Sequence, residues 1–144
     1  MLFRSVVSNF IVQALKGEDI TIYGDGMQTR AFCYVDDLID GWLRLMNHTP
    51  DEFTGPVNIG SEEMVTINQL VSIVADIAGK KIEIDHIPGP LGVRGRNSHN
   101  ELIRKMLGWE PKQPLKAGLE KTYAWIEAQV RTNRPKAVPE LQKA

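Results

Sequence analysis

Cysteine is nearly missing from this chain. Cys33 is the single one in 144 residues, which excludes an internal disulfide framework and fits a reducing compartment. The three histidines, His48, His86 and His99, lie far apart, and no Cys/His spacing suits zinc, so no metal site is expected. No run of about 18 apolar residues occurs, so no membrane span is expected. The N-terminus lacks a basic segment followed by an apolar core and a small-residue cleavage site, so no secretion signal is read there. Neither sign of charge is in excess. With 17 basic and 18 acidic residues the formal net charge is −1, which offers no bulk attraction to nucleic acid or to an anionic membrane. Internal repeats are also lacking. These absences predict a cytoplasmic protein without nucleic-acid or membrane partners.

What is present is an ordinary globular composition, 42% hydrophobic and 24% charged, in a length that suits one domain with a real core. Apolar residues recur at helical spacing from Ser5 to Leu15, and Gly17 ends that run. Short strands are predicted at Ile20–Tyr23, Phe32–Val35 and Pro56–Gly60, and a half-buried one over Lys80–Ile87. Asp36 or Asp37 is the expected N-cap of a helix to Asn47, with Leu38, Ile39, Trp42, Leu45 and Met46 as its buried stripe. Thr66 with Gln69 predicts a capping box for a helix closed by Gly79, and Ser98 with Glu101 a second box for a short helix to Leu107. A last helix from Pro114 carries Leu115, Leu119, Tyr123, Ile126 and Val130. Trp109 and Trp125 read as packing anchors. The domain is expected to span residues 1–130, and residues 131–144 to form a frayed tail. Alternating helices and short strands give an α/β class with α+β character, without the long buried strands of a complete doubly wound sheet.

The stretch Tyr23 to Asp37, Y-G-D-G-M-Q-T-R-A-F-C-Y-V-D-D, concentrates the candidate chemistry. A Gly-Asp-Gly turn is followed by Gln28, Thr29 and Arg30, an amide, a hydroxyl and a guanidinium suited to an anionic, hydroxyl-rich ligand. On local chemistry alone, a hairpin with its polar residues in water is the simpler reading. Further on, Gly89 to Gly95 has the spacing G-x-x-G-x-x-G, but the capping signal comes only at Ser98, and no strand with an acid follows. It is therefore rejected as a dinucleotide loop. Arg94 and Arg96 in the same segment, ahead of a helix start, suit a diphosphate. The alternative is a solvated loop whose arginines pair with Asp85 or Glu101. Asp36/Asp37 and Glu62/Glu63 read as helix-start charges, Cys33 as a small core residue, and His86 as a structural one. Tyr23, Tyr34 and Tyr123 have no lysine four residues on.

The segment V-V-S-N-F-I-V-Q-A-L-K-G-E-D-I-T-I-Y-G-D-G-M-Q-T-R-A-F-C-Y-V-D-D resembles the C-terminal portion of extended short-chain dehydrogenases that modify nucleotide sugars. Residues 6–46 look most like UDP-glucuronate decarboxylases. The segment His86 to Asn100, H-I-P-G-P-L-G-V-R-G-R-N-S-H-N, with L-G-W-E-P after it, looks most like GDP-mannose epimerases. The resemblance implies a small domain that closes over a UDP- or GDP-linked sugar, with Gln28, Thr29 and Arg30 touching the substrate, Arg96 on its diphosphate and Arg94 a further candidate. It also implies that NAD and the catalytic Tyr-x-x-x-Lys pair belong to a Rossmann domain that has no counterpart here. No cofactor and no catalytic residue is therefore expected in this chain, and none of the family's hydride chemistry without the other half. Arg4-Ser5 stands where the decarboxylases carry Gly-Arg, so Met1 to Ser5 reads as a new or truncated beginning. The leading expectation is a nucleotide-sugar-binding domain of an NAD-dependent epimerase, dehydratase or decarboxylase, inert alone. The other is a free-standing binding or self-associating module derived from such an enzyme. Its partner would be a second copy, joined through Val6, Val7 and Phe10, or a chain supplying the Rossmann domain.

Overall fold

The structure, a computed structural model, describes residues 5–90 and 92–132. The expected tail lies almost wholly outside them. Helix α1 (Val6–Lys16) is capped by the Ser5 side chain and ends at Gly17 in a left-handed conformation. Strand β1 (Ile20–Tyr23) follows, then β2 (Thr29–Ala31), α2 (Val35–His48), β3 (Met64–Thr66) and α3 (Ile67–Ala78). Strand β4 (Ile84–Ile87), β5 (Gly95–Arg96), α4 (Glu101–Leu107) and α5 (Leu115–Thr132) complete the order. The α3 capping box forms as its sequence predicts, with Thr66 Oγ1 accepting from Gln69 N and Gln69 Oε1 from Thr66 N.

One core holds these elements together. Phe10, Ile11 and Ala14 of α1, Ile20 and Ile22 of β1, Leu70, Val71 and Val74 of α3, and Leu115, Leu119 and Ile126 of α5 are buried against one another. Each large side chain so buried contributes about 1.5–3 kcal/mol. Phe10 thus belongs to the core, and Val6 and Val7 pack against it half-buried, so these three do not make the exposed contact face expected of them.

The sheets differ from the expected pattern. The Gly24–Gly26 turn is not a hairpin: β1 pairs in parallel with β4, and β2 joins a separate sheet in the order β3-β2-β5. A strand needs ladder partners as well as apolar residues. Thr29–Ala31 has them on both edges, antiparallel to β3 and parallel to β5, so the strand sits earlier than Phe32–Val35. Residues 56–60 form no strand. The segment from Lys80 forms one only at Ile84–Ile87, and Ile84 is exposed there.

Helix α2 departs most. Its N-cap is Tyr34, without a side-chain cap bond, while Asp36 and Asp37 fall in the first turn. The Asp37 carboxylate accepts instead from the backbone of Lys112 and Gln113, at 3.1 and 2.8 Å. Gly41 is the buried residue of α2, set against Trp109 and Ile59 so closely that a Cβ would come within 2.8 Å of the indole. Trp109 Nε1 donates to Asp40, which also holds Arg44. The small and polar side of α2 therefore faces the domain. The stripe expected in the core points outward, with Leu38, Ile39, Trp42 and Met46 exposed and Leu45 half-buried. Trp109 is a packing anchor as expected; Trp125 is exposed.

Candidate functional site

The Gly24–Gly26 turn is held by α3. Asn68 N donates to Gly26 O, and Asn68 Nδ2 to Asp25 O at 2.9 Å. Gly26 has φ +70°, and a Cβ there would strike the Asn68 side chain, so both conformation and space require glycine. With the turn fixed, Gln28 Nε2 donates to Tyr23 O, while its Oε1 is buried without a hydrogen-bond partner among the described residues. Gln28 and Arg30 line a cleft of about 660 Å³ between α1 and the β1–β2 turn. Asn9, Gln13 and Lys16 of α1 form the opposite wall, and the exposed ring of Tyr23 lies at one side. Sequence reasoning missed these four residues. Asn9, Gln13 and Lys16 share one face of α1 by their i, i+4, i+7 spacing, a signal that was there to be found.

The second arginine-bearing segment reaches the same strand. β5 pairs in parallel with β2, so that Thr29 faces Gly95 and Arg30 faces Arg96 in register. Thr29 N donates to Arg94 O at 2.8 Å, and Gly95 lies so close that a Cβ would meet Thr29 Oγ1 at 2.9 Å. Register partners on adjacent strands stand about 4.8 Å apart and project to the same face. Arg30 and Arg96 are thus brought together, although only Arg30 lines the cleft. Among the described residues neither Arg94 nor Arg96 forms an ion pair, and Arg30 donates only to the carbonyl of Thr29. The expected alternative pairing with Asp85 or Glu101 does not form; Glu101 meets His99.

The far end of the arginine segment is tied down by a network that the sequence did not suggest. Asn100, wholly buried, donates from Nδ2 to Gly60 O at 2.7 Å and accepts at Oδ1 from Ser98 Oγ at 2.6 Å. Ser98 therefore does not cap α4; Asn100 is the N-cap, without a side-chain cap bond. The α4 start is also no open anion site, because Glu62 Oε1 already accepts from Asn100 N and Oε2 pairs with Arg104. The Asn100 backbone bond, aided by Arg104, holds the Glu62 carboxyl below its usual range. Glu63 accepts from Leu115 N at the start of α5. Glu62 and Glu63 are helix-start charges, but of α4 and α5. His86 is structural as expected, its Nδ1 donating to Gly24 O at 2.7 Å. Cys33 is half-buried in a second, apolar cleft of about 550 Å³ with Phe32, Val35 and Leu119. Burial, and then the charge of Asp37, push its thiol pKa up.

The glycine run 89–95 passes into β5, and the next helix starts only at Glu101, so it makes no phosphate cradle at a helix start. Among the described residues of that run no glycine opens a helix, as a dinucleotide loop requires.

Comparison with known proteins agrees with the resemblance read from the sequence. Residues 3–60 match the NAD dependent epimerase/dehydratase family. Over those residues the chain is similar to that family. It is 50% identical over 115 residues to GDP-mannose 3,5-epimerase of Arabidopsis thaliana, covering 80% of this chain and 30% of that protein. It is 44% identical over 115 residues to UDP-glucuronic acid decarboxylase 5 of the same plant, covering 79% and 33%. The crystal structure of UDP-glucuronic acid 4-epimerase from Bacillus cereus with UDP-glucuronic acid and NAD superposes with a TM-score of 0.82 at 28% identity, over 88% of this chain and 40% of that one. The chain thus spans about a third of the length of these curated relatives. Among the described residues no helix is long and apolar enough to cross a membrane.

Proposed function

We propose that this domain binds the nucleotide-sugar substrate of an NAD-dependent epimerase, dehydratase or decarboxylase, and that its diphosphate is held between Arg30 and Arg96. The observation that carries this reading is the β2–β5 register, which makes the two arginines neighbours without a carboxylate partner among the described residues. Two adjacent cations repel each other, and a diphosphate between them relieves that repulsion with bidentate hydrogen bonds. Gln28 supplies an acceptor with no partner among the described residues, which a sugar hydroxyl or a base N–H can fill. Thr29 and Arg94 shape the loop through their backbone bond, and Arg94 adds a further positive charge. The chemistry supplied by NAD, hydride removal from the sugar, belongs to the part of the family enzyme outside this match. The domain binds and orients the substrate and by itself turns nothing over.

Titration of the chain with a UDP-sugar and a GDP-sugar, followed by backbone amide shifts, tests this. Saturable shifts are expected at residues 23–30 and 92–96. Shifts confined elsewhere, or no binding at millimolar ligand, would refute it.

A further inference from the structure

Helix α3 does not complete its own cap. The first four N–H groups of a helix have no partner within it. The Thr66–Gln69 box satisfies two of them, on Thr66 and Gln69. The loop of the candidate site satisfies the other two: Ile67 N donates to Gln28 O and Asn68 N to Gly26 O, each at 3.1 Å. Asn68 adds a third tie from its side chain, Nδ2 to Asp25 O at 2.9 Å. Three carbonyls of the segment 25–28 are therefore committed to one helix end. That end is firmly seated, with Ile67, Leu70, Val71 and Val74 in the core. The side-chain tie is not what stability alone would select. Asparagine is a poor helix former, and Asn68 Oδ1 is buried without a hydrogen-bond partner among the described residues. Native folds keep few such atoms, and local penalties of this kind gather at functional sites. The other buried side-chain atom without a partner among the described residues is Gln28 Oε1, on the same loop. Asn68 Oδ1 stands 2.0 Å from where a Cβ on residue 26 would lie, so the amide fills the space that Gly26 leaves.

We propose that Asn68 is a positioning residue for nucleotide-sugar binding. The proposal rests on the reading of the cleft beside α1 as the substrate site. Asn68 does not line that cleft, whereas Gln28 and Arg30 do. It acts through the backbone. By holding Asp25 O and Gly26 O on α3, it sets the one conformation in which the turn enters β2, with Gln28 Nε2 on Tyr23 O. Met27 N, donating to the Asp25 carboxylate, closes the turn upon itself. Arg96 has a separate anchor, the Asn100 network at the far end of its own segment. Loss of the Asn68 tie therefore slackens one half of the diphosphate grip and leaves the other. A helix cap with no part in binding would show no such preference.

Two substitutions test this. Asn68→Ala removes the tie. Asn68→Asp keeps the shape of the side chain and adds a first-turn charge that a helix start favours, but as a carboxylate it cannot donate to Asp25 O. Both variants of the full chain are titrated with GDP-mannose and with UDP-glucuronic acid, followed by amide shifts, at a temperature where urea unfolding shows them fully folded. Each is expected to weaken binding about fivefold or more, in the unaltered chain and in an Arg96→Ala background alike, but less than about twofold where Gln28 and Arg30 are both alanine. Should the alanine variant not fold, the aspartate variant alone decides. Wild-type affinity in the folded variants, or the same loss in both backgrounds, would overturn the proposal. Failure of the unaltered chain to bind either nucleotide sugar would overturn the substrate reading, and this inference with it.

Discussion

Arg30 and Arg96 face each other across the β2–β5 ladder, one on each strand, in a parallel register that sets their Cα atoms directly side by side. The pairing makes their contributions to binding interdependent. Each charge-assisted contact to phosphate is worth about 1.5–3 kcal/mol. Arg30→Ala and Arg96→Ala are each expected to weaken nucleotide-diphosphate-sugar binding about tenfold or more. The double variant should lose less than the sum, because removing one cation also removes its repulsion of the other. Lysine at either position should restore binding only in part, since an ammonium cannot form the bidentate fork. Amide-shift titrations of the five variants check this, and wild-type affinity in both alanine variants would reject the site.

Asn100→Ala is expected to destabilise the domain by about 1–3 kcal/mol, because it strips a buried carbonyl, Gly60 O, of its donor. It should also weaken ligand binding beyond what lost stability explains, since Asn100 anchors the end of the Arg94–Arg96 segment. Urea unfolding together with the titration at a temperature where the variant is fully folded separates the two effects. Unchanged affinity would confine Asn100 to a purely structural role.

The same network gives an acid-side pH dependence. The folded-state pKa of Glu62 is lowered, first by the Asn100 backbone N–H and then by Arg104. A depressed carboxylate contributes stability that is complete above its unfolded value of about 4.3 and is lost as pH falls through the lowered folded value. Unfolding at pH 7, 4 and 3 should show this loss in the wild type. Glu62→Gln should be less stable at pH 7 and flatter on the acid side. A carbon NMR titration of the Glu62 carboxyl reads the pKa directly, and an ordinary value there would refute the prediction.

Gly41→Ala should destabilise the domain despite alanine's better helix propensity of about 1 kcal/mol. The new methyl would sit within 3.0 Å of Trp109 and Ile59, and overpacking of this kind costs about 1–3 kcal/mol. The Trp109 indole N–H resonance should move as its bond to Asp40 is strained. A stabilised variant with an unmoved indole signal would show that α2 is not pressed against Trp109.

Helices α1, α3 and α5 were legible in the sequence because each carries a 3.6-residue apolar period and most of their ends carry recognisable caps. Strands β3 and β5, three and two residues long, are too short to show a period, and they exist only because β2 offers them edges. Periodicity found the apolar stripe of α2 but not its direction, which is decided by Gly41, Asp37 and Trp109, far apart in the chain. The site divides the same way. Gln28, Thr29, Arg30 and Arg96 stand in motifs whose resemblance to a family was visible, whereas the α1 wall and the Asn100 network come from tertiary placement.

The β2–β5 ladder has a consequence for the order in which the domain assembles. β2 first meets β3 in chain order, and only the much later β5 completes the sheet. Closing the longer loop costs more entropy, and only two residues of β5 repay it. The arginine pair is therefore the last part of the sheet to form and the first to open. Hydrogen exchange should show the amides of Gly95 and Arg96 released well before those of α1 and α3, with a bound diphosphate closing that gap.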